Sequence, residues 1–378
     1  MTVKRMLVCG SFADSLIRFR GPLLQAAKAR GVDVHAAAPL QPEDGAASEA
    51  LRSRGIKVHG VHLNRAGMNP LSDAGSFISL LLLMIRVRPD CFLGYTVKPV
   101  VYGALAAWLV RVPCRYVLIT GLGYAFTGEA TGKRRLIQSV VRFLYRLALA
   151  RSSKVFFQNP DDLALFRRLG LLPAKVPAVV VNGSGVDIAE FSARPLPSGA
   201  VRFLMIARLL GDKGVREYVA AARQVKNLFP DAMFTLVGWI DDNPDAISAD
   251  ELQSWVNDGV VRYTGRLEDV RDEIADCSVY VLPSYREGTP RTVLEAMAIG
   301  RPVITTDAPG CRETVLPGEN GFLVAVKDSF GLADAMMRFV QEPGLIETMS
   351  RRSREIVEQK YDVRKVNAMM LDEMGITP

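Results

Sequence analysis

The sequence predicts an α/β protein made of two Rossmann-like domains in tandem. Its 378 residues are too many for one ordinary domain and fit two domains of about 150 to 200 residues. Short apolar, β-branched runs alternate with amphipathic helical stretches, which is the pattern of a parallel sheet with helices on both faces. The same alternation begins again after the proline-marked residues 193–197, so we expect a second sheet.

The predicted strands form two series, one in each domain. In the first domain they cover residues 6–9, 32–38, 58–62, 91–94, 116–119, 155–158 and 179–181. In the second they cover residues 203–206, 233–237, 260–263, 279–282, 303–305 and 321–324. We expect the domains to span residues 1–192 and 193–349. Ligands of such sheets bind at the carboxyl ends of the strands, so the cleft between the domains is the expected site.

Basic residues are concentrated in the first half of the chain. Residues 1–182 hold 25 Lys and Arg against 10 Asp and Glu, a net charge of +15, whereas the remaining residues hold 22 against 30, a net charge of −8. Such an excess indicates an anionic partner, which could be phosphate, nucleic acid or an acidic membrane surface. No recognised nucleic-acid-binding motif accompanies the excess, so we expect no nucleic-acid partner.

The cysteine pattern and the N-terminal residues indicate a cytoplasmic protein. The five cysteines are scattered without a C-x-x-C pair, which favours neither a disulfide framework nor a zinc site. The N-terminal residues lack the long apolar region of a signal peptide. The longest apolar run, residues 77–85, is about half as long as the roughly 20 residues that a transmembrane helix needs.

Residues 283–300, PSYREGTPRTVLEAMAIG, contain the most informative pair of carboxylates. Glu287 lies in a loop after a predicted strand, and Glu295 lies in the first turns of the helix that follows. The free amides at a helix N-terminus attract phosphate, and a carboxylate beside them can bind ribose hydroxyls. The residue chemistry alone also permits Glu295 to be a solvent-facing acid that complements the helix dipole.

A second cluster, RLLGDKG at residues 208–214, follows the first strand of the second domain. The guanidinium of Arg208 and the ammonium of Lys213 suit an anionic group such as a diphosphate. They could also be two surface cations at a strand-to-helix loop. Gly238, Arg266 and Leu267 follow the next two strands, at the edge of the sheet where ligands bind, although Gly238 could serve turn geometry alone.

Together these motifs resemble those of the family 4 retaining glycosyltransferases. The resemblance is carried by the E-x(7)-E pair, the EG-x-P turn, the R-x(4)-K-G cluster, LEAMA-x-G-x-PVI at 294–304 and PGENGFLV at 317–324. It covers nearly the whole chain and is strongest in residues 265–324. Within the family, the chain is most similar to the bacterial branch that extends undecaprenyl-diphosphate-linked sugars for capsule, exopolysaccharide or glycan assembly.

The resemblance implies a GT-B fold, with the nucleotide-sugar donor in the second domain, the lipid-linked acceptor in the first, and residues 350–378 packing back on the first. It implies that Glu287 contacts the donor sugar or its phosphate and that Glu295 binds the ribose. Arg208 and Lys213 would stabilise the departing diphosphate. The turn that faces the diphosphate would consist of Thr289, Pro290, Arg291 and Thr292.

The acceptor site is expected at the carboxyl ends of the strands in the first domain. Its candidate residues are Gly10, Ser11, Arg18, Arg20, Lys98, Gly121 and Gly123. The glycines would allow donor and acceptor to approach closely, and the cations would face the acceptor diphosphate. Many family members carry a histidine in the loop after the strand 116–119, whereas this chain reads TGLGYAF at 120–126. A histidine contact to the donor sugar is therefore not expected.

The sequence contains no D-x-D motif, so we predict a reaction that needs neither a metal nor a cofactor. A GT-B enzyme can replace the metal with Arg208, Lys213 and helix dipoles. The lack of an evident nucleophile agrees with front-face attack, in which the donor phosphate itself helps to remove the acceptor proton. The donor sugar would be a hexose or an N-acetylhexosamine, and the resemblance favours UDP as its carrier.

Residues 133–154 predict a basic amphipathic helix. Its basic stripe consists of Arg135, Arg142 and Arg146, and its opposite face of Leu136, Val140, Leu144 and Leu147. Such a helix can lie on an anionic membrane, which would place the protein at the inner face of the cell membrane. The alternative is an ordinary helix that packs its apolar face on the sheet and exposes its basic stripe.

Three rival functions are weighed at this point. A nucleotide-sugar epimerase or a phosphorylase of the same fold is nearer, although a phosphorylase would usually need a pyridoxal-binding lysine and a longer chain. A basic nucleic-acid-binding protein is more distant. A dinucleotide-dependent dehydrogenase is disfavoured because the G-x-G-x-x-G motif is absent after the first strand.

Overall fold

The computed structural model describes residues 3–41, 44–64, 69–121, 133–241 and 243–377. The chain divides into two compact units. The first comprises Met1–Ser184 and Arg364–Pro378, and the second comprises Gly185–Val363. Each unit has its own parallel sheet and its own apolar core.

The sheet of the first unit has the strand order β3-β2-β1-β4-β5-β6-β7, and all neighbours are parallel. The strands are β1 (Arg5–Cys9), β2 (Asp33–Ala38), β3 (Lys57–Gly60), β4 (Cys91–Tyr95), β5 (Cys114–Ile119), β6 (Lys154–Phe157) and β7 (Ala178–Val180). Each strand coincides with a predicted stretch, which confirms the α/β class for this unit. Met6 and Val8 face one side of the sheet, and Leu7 and Cys9 face the other.

Helices cover both faces of this sheet, which is why its strands are continuous apolar runs. They are α1 (Ala13–Arg18), α2 (Gly21–Ala29), α3 (Gly45–Ser53), α4 (Pro70–Val87), α5 (Ala104–Leu109), α6 (Lys133–Leu149), α7 (Pro160–Arg168) and α14 (Val363–Glu373). The side of Met6 and Val8 packs against α1, α2, α3 and α14. The opposite side packs against α4, α5, α6 and α7.

The second unit repeats the design with the strand order β10-β9-β8-β11-β12-β13. Its strands are β8 (Arg202–Ile206), β9 (Met233–Val237), β10 (Arg262–Tyr263), β11 (Val279–Leu282), β12 (Val303–Thr306) and β13 (Gly321–Val324). Its helices are α8 (Val215–Leu228), α9 (Ala249–Asn257), α10 (Arg271–Ala275), α11 (Arg291–Ile299), α12 (Ser329–Gln341) and α13 (Gly344–Ile356). These strands also coincide with predicted stretches.

The boundary between the units differs from the predicted one. The sequence placed it at 192/193, beside the prolines of residues 193–197, whereas the structure places it between Ser184 and Gly185. Phe191 is buried in the second core, and the guanidinium of the buried Arg301 donates hydrogen bonds to the carbonyls of Arg194 and Pro195. The prolines therefore belong to an ordered segment of the second unit and do not mark a linker.

The chain also returns to the first unit later than predicted. Residues 350–378 were expected there, but α13 and the turn after it belong to the second unit, where Tyr361 is buried in the core. From Arg364 onward the chain belongs to the first unit. Met370 of α14 is fully buried there, and the Tyr116 hydroxyl donates to the Met374 carbonyl at 2.9 Å.

In each unit the strand order reverses between two central neighbours, β1 and β4 in the first and β8 and β11 in the second. Such a point opens a crevice at the carboxyl edge of an α/β sheet, because the two connections leave it in opposite directions. The loops after these four strands therefore form the two candidate sites.

Candidate active site

In the second unit, the loop after β8 is held against the loop after β11. It turns at Gly211–Lys213 and ends at Gly214, whose φ of +75° is left-handed. A Cβ at Gly214 would lie 2.2 Å from the Pro283 carbonyl oxygen, so the close approach requires glycine. The Tyr285 amide also donates to the Asp212 carbonyl at 2.8 Å. The two loops therefore form one continuous edge.

This approach brings Lys213 beside Glu287. The distance from Nζ to Oε1 is 2.6 Å, and the two side chains are only 16% and 18% exposed. Burial lowers the pKa of Lys213, but the charge of Glu287 and the hydrogen bond to it outweigh burial and raise that pKa above its ordinary value. Lys213 is therefore charged at neutral pH, and its position is fixed.

Arg208, the third residue predicted to act in catalysis, pairs with an acid that the sequence analysis did not single out. Its Nη1 lies 3.0 Å from Oδ2 of Asp241. Asp241 opens the run DDNPD at 241–245 in the loop after β9, whose composition is that of a solvated turn. Farther along this loop, the Asp245 carboxylate accepts a hydrogen bond from the Asp212 amide at 2.9 Å. The loop after β9 can hold Arg208 and Asp212 because β8 and β9 are neighbours in the sheet, and the sequence alone does not show that they are neighbours.

The position of Glu287 is fixed by a turn after β12. The Glu287 amide donates to the Pro309 carbonyl at 2.9 Å. Gly310 has a φ of +82°, and a Cβ there would lie 2.2 Å from the Glu287 carbonyl oxygen. The dipeptide Pro309-Gly310 marks a turn in the sequence, but nothing in the sequence indicates which residue that turn touches.

Helix α11 begins at Arg291, directly after the Glu287 loop. Glu295 is buried, and its Oε1 accepts a hydrogen bond from Arg291 Nε at 2.7 Å. This burial excludes the alternative of a solvent-facing acid. Thr289 and Thr292 are half-buried and Pro290 is buried. The helix N-terminus, with its partial positive charge, thus lies on the edge that carries Lys213 and Glu287.

Gly238 follows β9 directly, where the backbone after the neighbouring strand β8 comes very close. A Cβ there would lie 1.8 Å from the Ala207 carbonyl oxygen, so turn and packing geometry already require glycine. The Arg266 guanidinium lies 5.0 Å from the centre of the Trp239 ring, which follows Gly238 directly. Leu267 packs against the core and is half-buried.

In the first unit, three residues predicted to bind the acceptor lie at the ends of the adjacent strands β1 and β4. Gly10 follows β1 directly, and Ser11 Oγ lies 2.5 Å from Thr96 Oγ1. Lys98 is buried, and its Nζ lies 2.7 Å from Asp73 Oδ1. Asp73 therefore fixes the position of Lys98, as Glu287 fixes that of Lys213.

The remaining residues predicted to bind the acceptor are placed differently. Arg18 forms an exposed ion pair within α1. Arg20 is buried, with its guanidinium 5.3 Å from the centre of the Tyr95 ring, so this cation is part of the interior. Gly121 follows β5 with a φ of +138°. Gly123 lies outside the described residues.

The described part of the chain holds neither a cluster of metal ligands nor a membrane-spanning helix. Among the residues described, no three His, Cys, Asp or Glu side chains are grouped so that they could hold a metal ion. Within the same residues, every helix is too short or too polar to cross a bilayer.

Both units match known glycosyltransferase families. Residues 18–183 match the family described as glycosyl transferase 4-like domain, and residues 200–342 match the family described as glycosyl transferases group 1. The chain is a family 4 glycosyltransferase. The epimerase and the nucleic-acid-binding protein are not favoured by this membership.

Two bacterial relatives are similar to this glycosyltransferase over most of their length. The N,N'-diacetylbacillosaminyl-diphospho-undecaprenol α-1,3-N-acetylgalactosaminyltransferase of Campylobacter jejuni is 28% identical, over 92% of this chain and 94% of its own. The UDP-Gal:α-D-GlcNAc-diphosphoundecaprenol α-1,3-galactosyltransferase of Escherichia coli is 27% identical, over 78% of this chain and 77% of its own.

Solved structures confirm the predicted GT-B fold. Anabaena HepE, determined with UDP and glucose, has a TM-score of 0.78 at 20% identity, covering 99% of this chain and 100% of its own. The sucrose-phosphate synthase of Thermosynechococcus elongatus has a TM-score of 0.78 at 18% identity, covering 98% of each chain.

Substitution of Gly310 tests whether the turn after β12 holds Glu287 in position. Gly310→Ala should lower the transfer rate about tenfold more than Gly318→Ala, because a shift of the Glu287 loop weakens contacts that must be held to within a fraction of an ångström. Both glycines have similar positive φ values, +82° and +83°, but nothing lies within 4 Å of a Cβ at Gly318. Backbone strain should therefore be similar in the two variants, and the difference in kcat between them reports the shift of the Glu287 loop. Equal rates would contradict this role of the turn.

Proposed function

We propose that this enzyme transfers a hexose or N-acetylhexosamine from a UDP-sugar to a sugar on a polyprenyl diphosphate, with retention of configuration and without a metal. The observation that carries the proposal is the edge of the second unit where Lys213, Glu287 and the N-terminus of α11 meet. A fixed ammonium and a helix N-terminus are groups that bind a diphosphate.

The donor would lie along this edge. Arg208 and Lys213 would hold the diphosphate together with the backbone amides of the turn at 289–292, except that Pro290 has no N–H to donate. Glu295 would bind the ribose. Gly238 would approach the sugar diphosphate, and Arg266 and Leu267 would lie near the base. Glu287 would accept hydrogen bonds from the donor sugar, since its carboxylate is held at the end of the same edge by Lys213.

The reaction would be a front-face displacement. The bond from the anomeric carbon to the diphosphate oxygen breaks, and the acceptor oxygen bonds to that carbon on the same face. The acceptor proton passes to the departing phosphate. Arg208 and Lys213 stabilise the negative charge that the diphosphate gains, which is the role that a divalent metal has in other transferases.

The names of the relatives support the acceptor class, because both enzymes act on sugars linked to undecaprenol through a diphosphate. In this chain, Gly10, Ser11, Lys98 and Gly121 would line the acceptor site at the carboxyl edge of the first unit, and Gly123 is proposed there from the sequence alone. Arg18 and Arg20 contribute to the positive charge of this unit, and we do not assign either a direct contact.

The test is release of nucleoside diphosphate from UDP- and GDP-sugars, with and without an undecaprenyl-diphosphate-sugar acceptor, in EDTA. Glu287→Gln should lower the acceptor-dependent rate by about 10² or more, because it removes a contact to the reacting sugar. The matched control is Glu251→Gln, which breaks an ion pair with Arg216 of similar length on the same unit and should leave the rate nearly unchanged.

Three results would each contradict a separate part of the proposal. Release that no acceptor increases would contradict transfer to this acceptor class. Release that EDTA abolishes and added magnesium or manganese restores would contradict metal independence. A product whose new linkage has the opposite anomeric configuration to the donor, measured by NMR, would contradict retention.

We also propose that the first unit lies on the cytoplasmic face of the cell membrane through α6. Phe143 is 65% exposed and Val140 is 43% exposed. Arg146, which lies farther toward the end of the helix, is also exposed. Tyr145, which faces the sheet, supplies part of the packing. The helix therefore combines packing on the sheet with an exposed surface of apolar and basic residues, which suits an anionic interface. The side chain of Leu136 lies outside the described residues.

Flotation with liposomes that contain anionic lipid tests this attachment. Arg146→Glu should reduce the bound fraction several-fold, because each cation near an anionic surface contributes about 1 kcal/mol. Arg351→Glu, at an exposed arginine of the second unit, is the control and should bind as the unchanged protein does. Equal binding of both variants would exclude α6 as the attachment site.

A further inference from the structure

A groove crosses the layer formed by α4, α5 and α6 on the first unit. It has a volume of about 400 Å³, and its lining is mostly apolar. Ala74 and Phe77 of α4 form one side, Val140 and Leu144 of α6 form the other, and Leu105 of α5 lies between them. Val140 also belongs to the exposed surface of α6, whereas Ala74, Phe77 and Leu105 lie on other helices, and the candidate donor residues lie in the other unit.

One end of the groove is polar. Asp73, in the first turn of α4, lines it together with Tyr102. The Lys98 ammonium binds the Asp73 carboxylate at 2.7 Å, and the two side chains are only 10% and 12% exposed. Burial and the neighbouring Asp73 raise the pKa of Tyr102 to about 12, so its hydroxyl stays neutral. A buried ion pair and a hydroxyl thus end an otherwise apolar groove.

The polar end lies toward the carboxyl edge of the sheet. Each of the three helices connects two parallel strands, so each begins at the carboxyl edge and runs away from it. Asp73 lies near the start of α4, and Phe77 lies one turn farther along. Lys98 follows the end of β4, close to Ser11 and Thr96, which are bonded to each other at the same edge. The groove therefore leads from the proposed acceptor corner along the helices.

The helices beside the groove expose an unusual apolar surface. Ile78, Leu82 and Ile85 of α4 are 52%, 60% and 51% exposed, and their spacing places them on one stripe. Trp108 and Leu109, at the end of α5, are 41% and 54% exposed. Clustered exposed apolar residues mark binding surfaces in soluble proteins. Exposed arginines lie at or just beyond the ends of α4, α5 and α6, among them Arg86, Arg88, Arg111 and Arg151.

We propose that the groove binds the first isoprene units of the acceptor's polyprenyl chain, with the acceptor diphosphate at the Lys98 end. This inference rests on the proposed function. The apolar lining suits a branched hydrocarbon chain. At the polar end Lys98 compensates the charge of Asp73, so the groove can lead to an anionic head at the carboxyl edge of the sheet. A bilayer presents a broad interface and cannot enter a groove between two helices, whereas a single chain can.

The test compares two soluble acceptors that carry the same sugar diphosphate, one on a geranyl chain and one on a methyl group, without lipid or detergent. The protein should use the geranyl acceptor with at least a tenfold higher kcat/KM, since burying a few methylene groups suffices for such a factor. Ala74→Phe, which fills the groove from an exposed position of α4, should reduce this ratio toward one. Val140→Phe should act likewise from the opposite side.

The matched control is Ala46→Phe, at an exposed position of α3 on the opposite side of the sheet. It should keep the ratio of the unchanged protein. Because the ratio is measured within each variant, a general loss of activity cancels. A ratio near one in the unchanged protein, or a high ratio that survives both groove variants, would overturn the proposal.

Calorimetric binding of geranyl diphosphate and methyl diphosphate separates this inference from the proposed function. If neither acceptor is used, the proposed acceptor class is wrong; the groove proposal then stands only if geranyl diphosphate binds more tightly and Ala74→Phe removes the difference. Equal binding of the two compounds overturns it.

Sedimentation tests a different occupant of the groove. If the unchanged protein is a dimer and Ala74→Phe is a monomer, the groove is an interface between copies of this chain, and the polyprenyl proposal is overturned.

Discussion

The ion pair between Lys213 and Glu287 joins the two loops on which the candidate donor site of this glycosyltransferase is built. Each side chain is mostly buried, so removal of either partner would leave the other charge without compensation in a poorly solvated place, which typically costs about 3 to 5 kcal/mol. The pair therefore holds the loops after β8 and β11 in register. It also keeps a charged ammonium at the carboxyl edge of the sheet. A solvent-exposed lysine without such a partner would be held less firmly in one position.

The other cations of the site follow the same arrangement. Arg208 is paired with Asp241, and Arg291 is paired with Glu295. Each of these carboxylates fixes a guanidinium before any substrate arrives, so less side-chain entropy is lost when an anion binds. A diphosphate carries more charge than a single carboxylate and can share these cations, while the carboxylates become free to accept hydrogen bonds from hydroxyl groups.

The strands could be predicted from the sequence because both faces of each sheet are covered, which makes each strand a continuous apolar run. The motif residues Arg208, Lys213 and Glu287 could be named because their types and spacing match a known family. Asp241 and Gly310 could not, because their contacts depend on which strands are neighbours in the sheet. The domain boundary was misplaced because prolines usually mark linkers, whereas here the carbonyls of Arg194 and Pro195 are bound by the buried Arg301.

The second unit should hold the donor through its diphosphate, and equilibrium binding tests this most directly. UDP and UMP would be titrated calorimetrically, in EDTA, into the unchanged protein, into Lys213→Met and into the control Lys226→Met on α8. UDP should bind more tightly than UMP, Lys213→Met should remove most of this preference, and Lys226→Met should keep it. A preference for UDP that persists in Lys213→Met would contradict the role of Lys213 in holding the diphosphate.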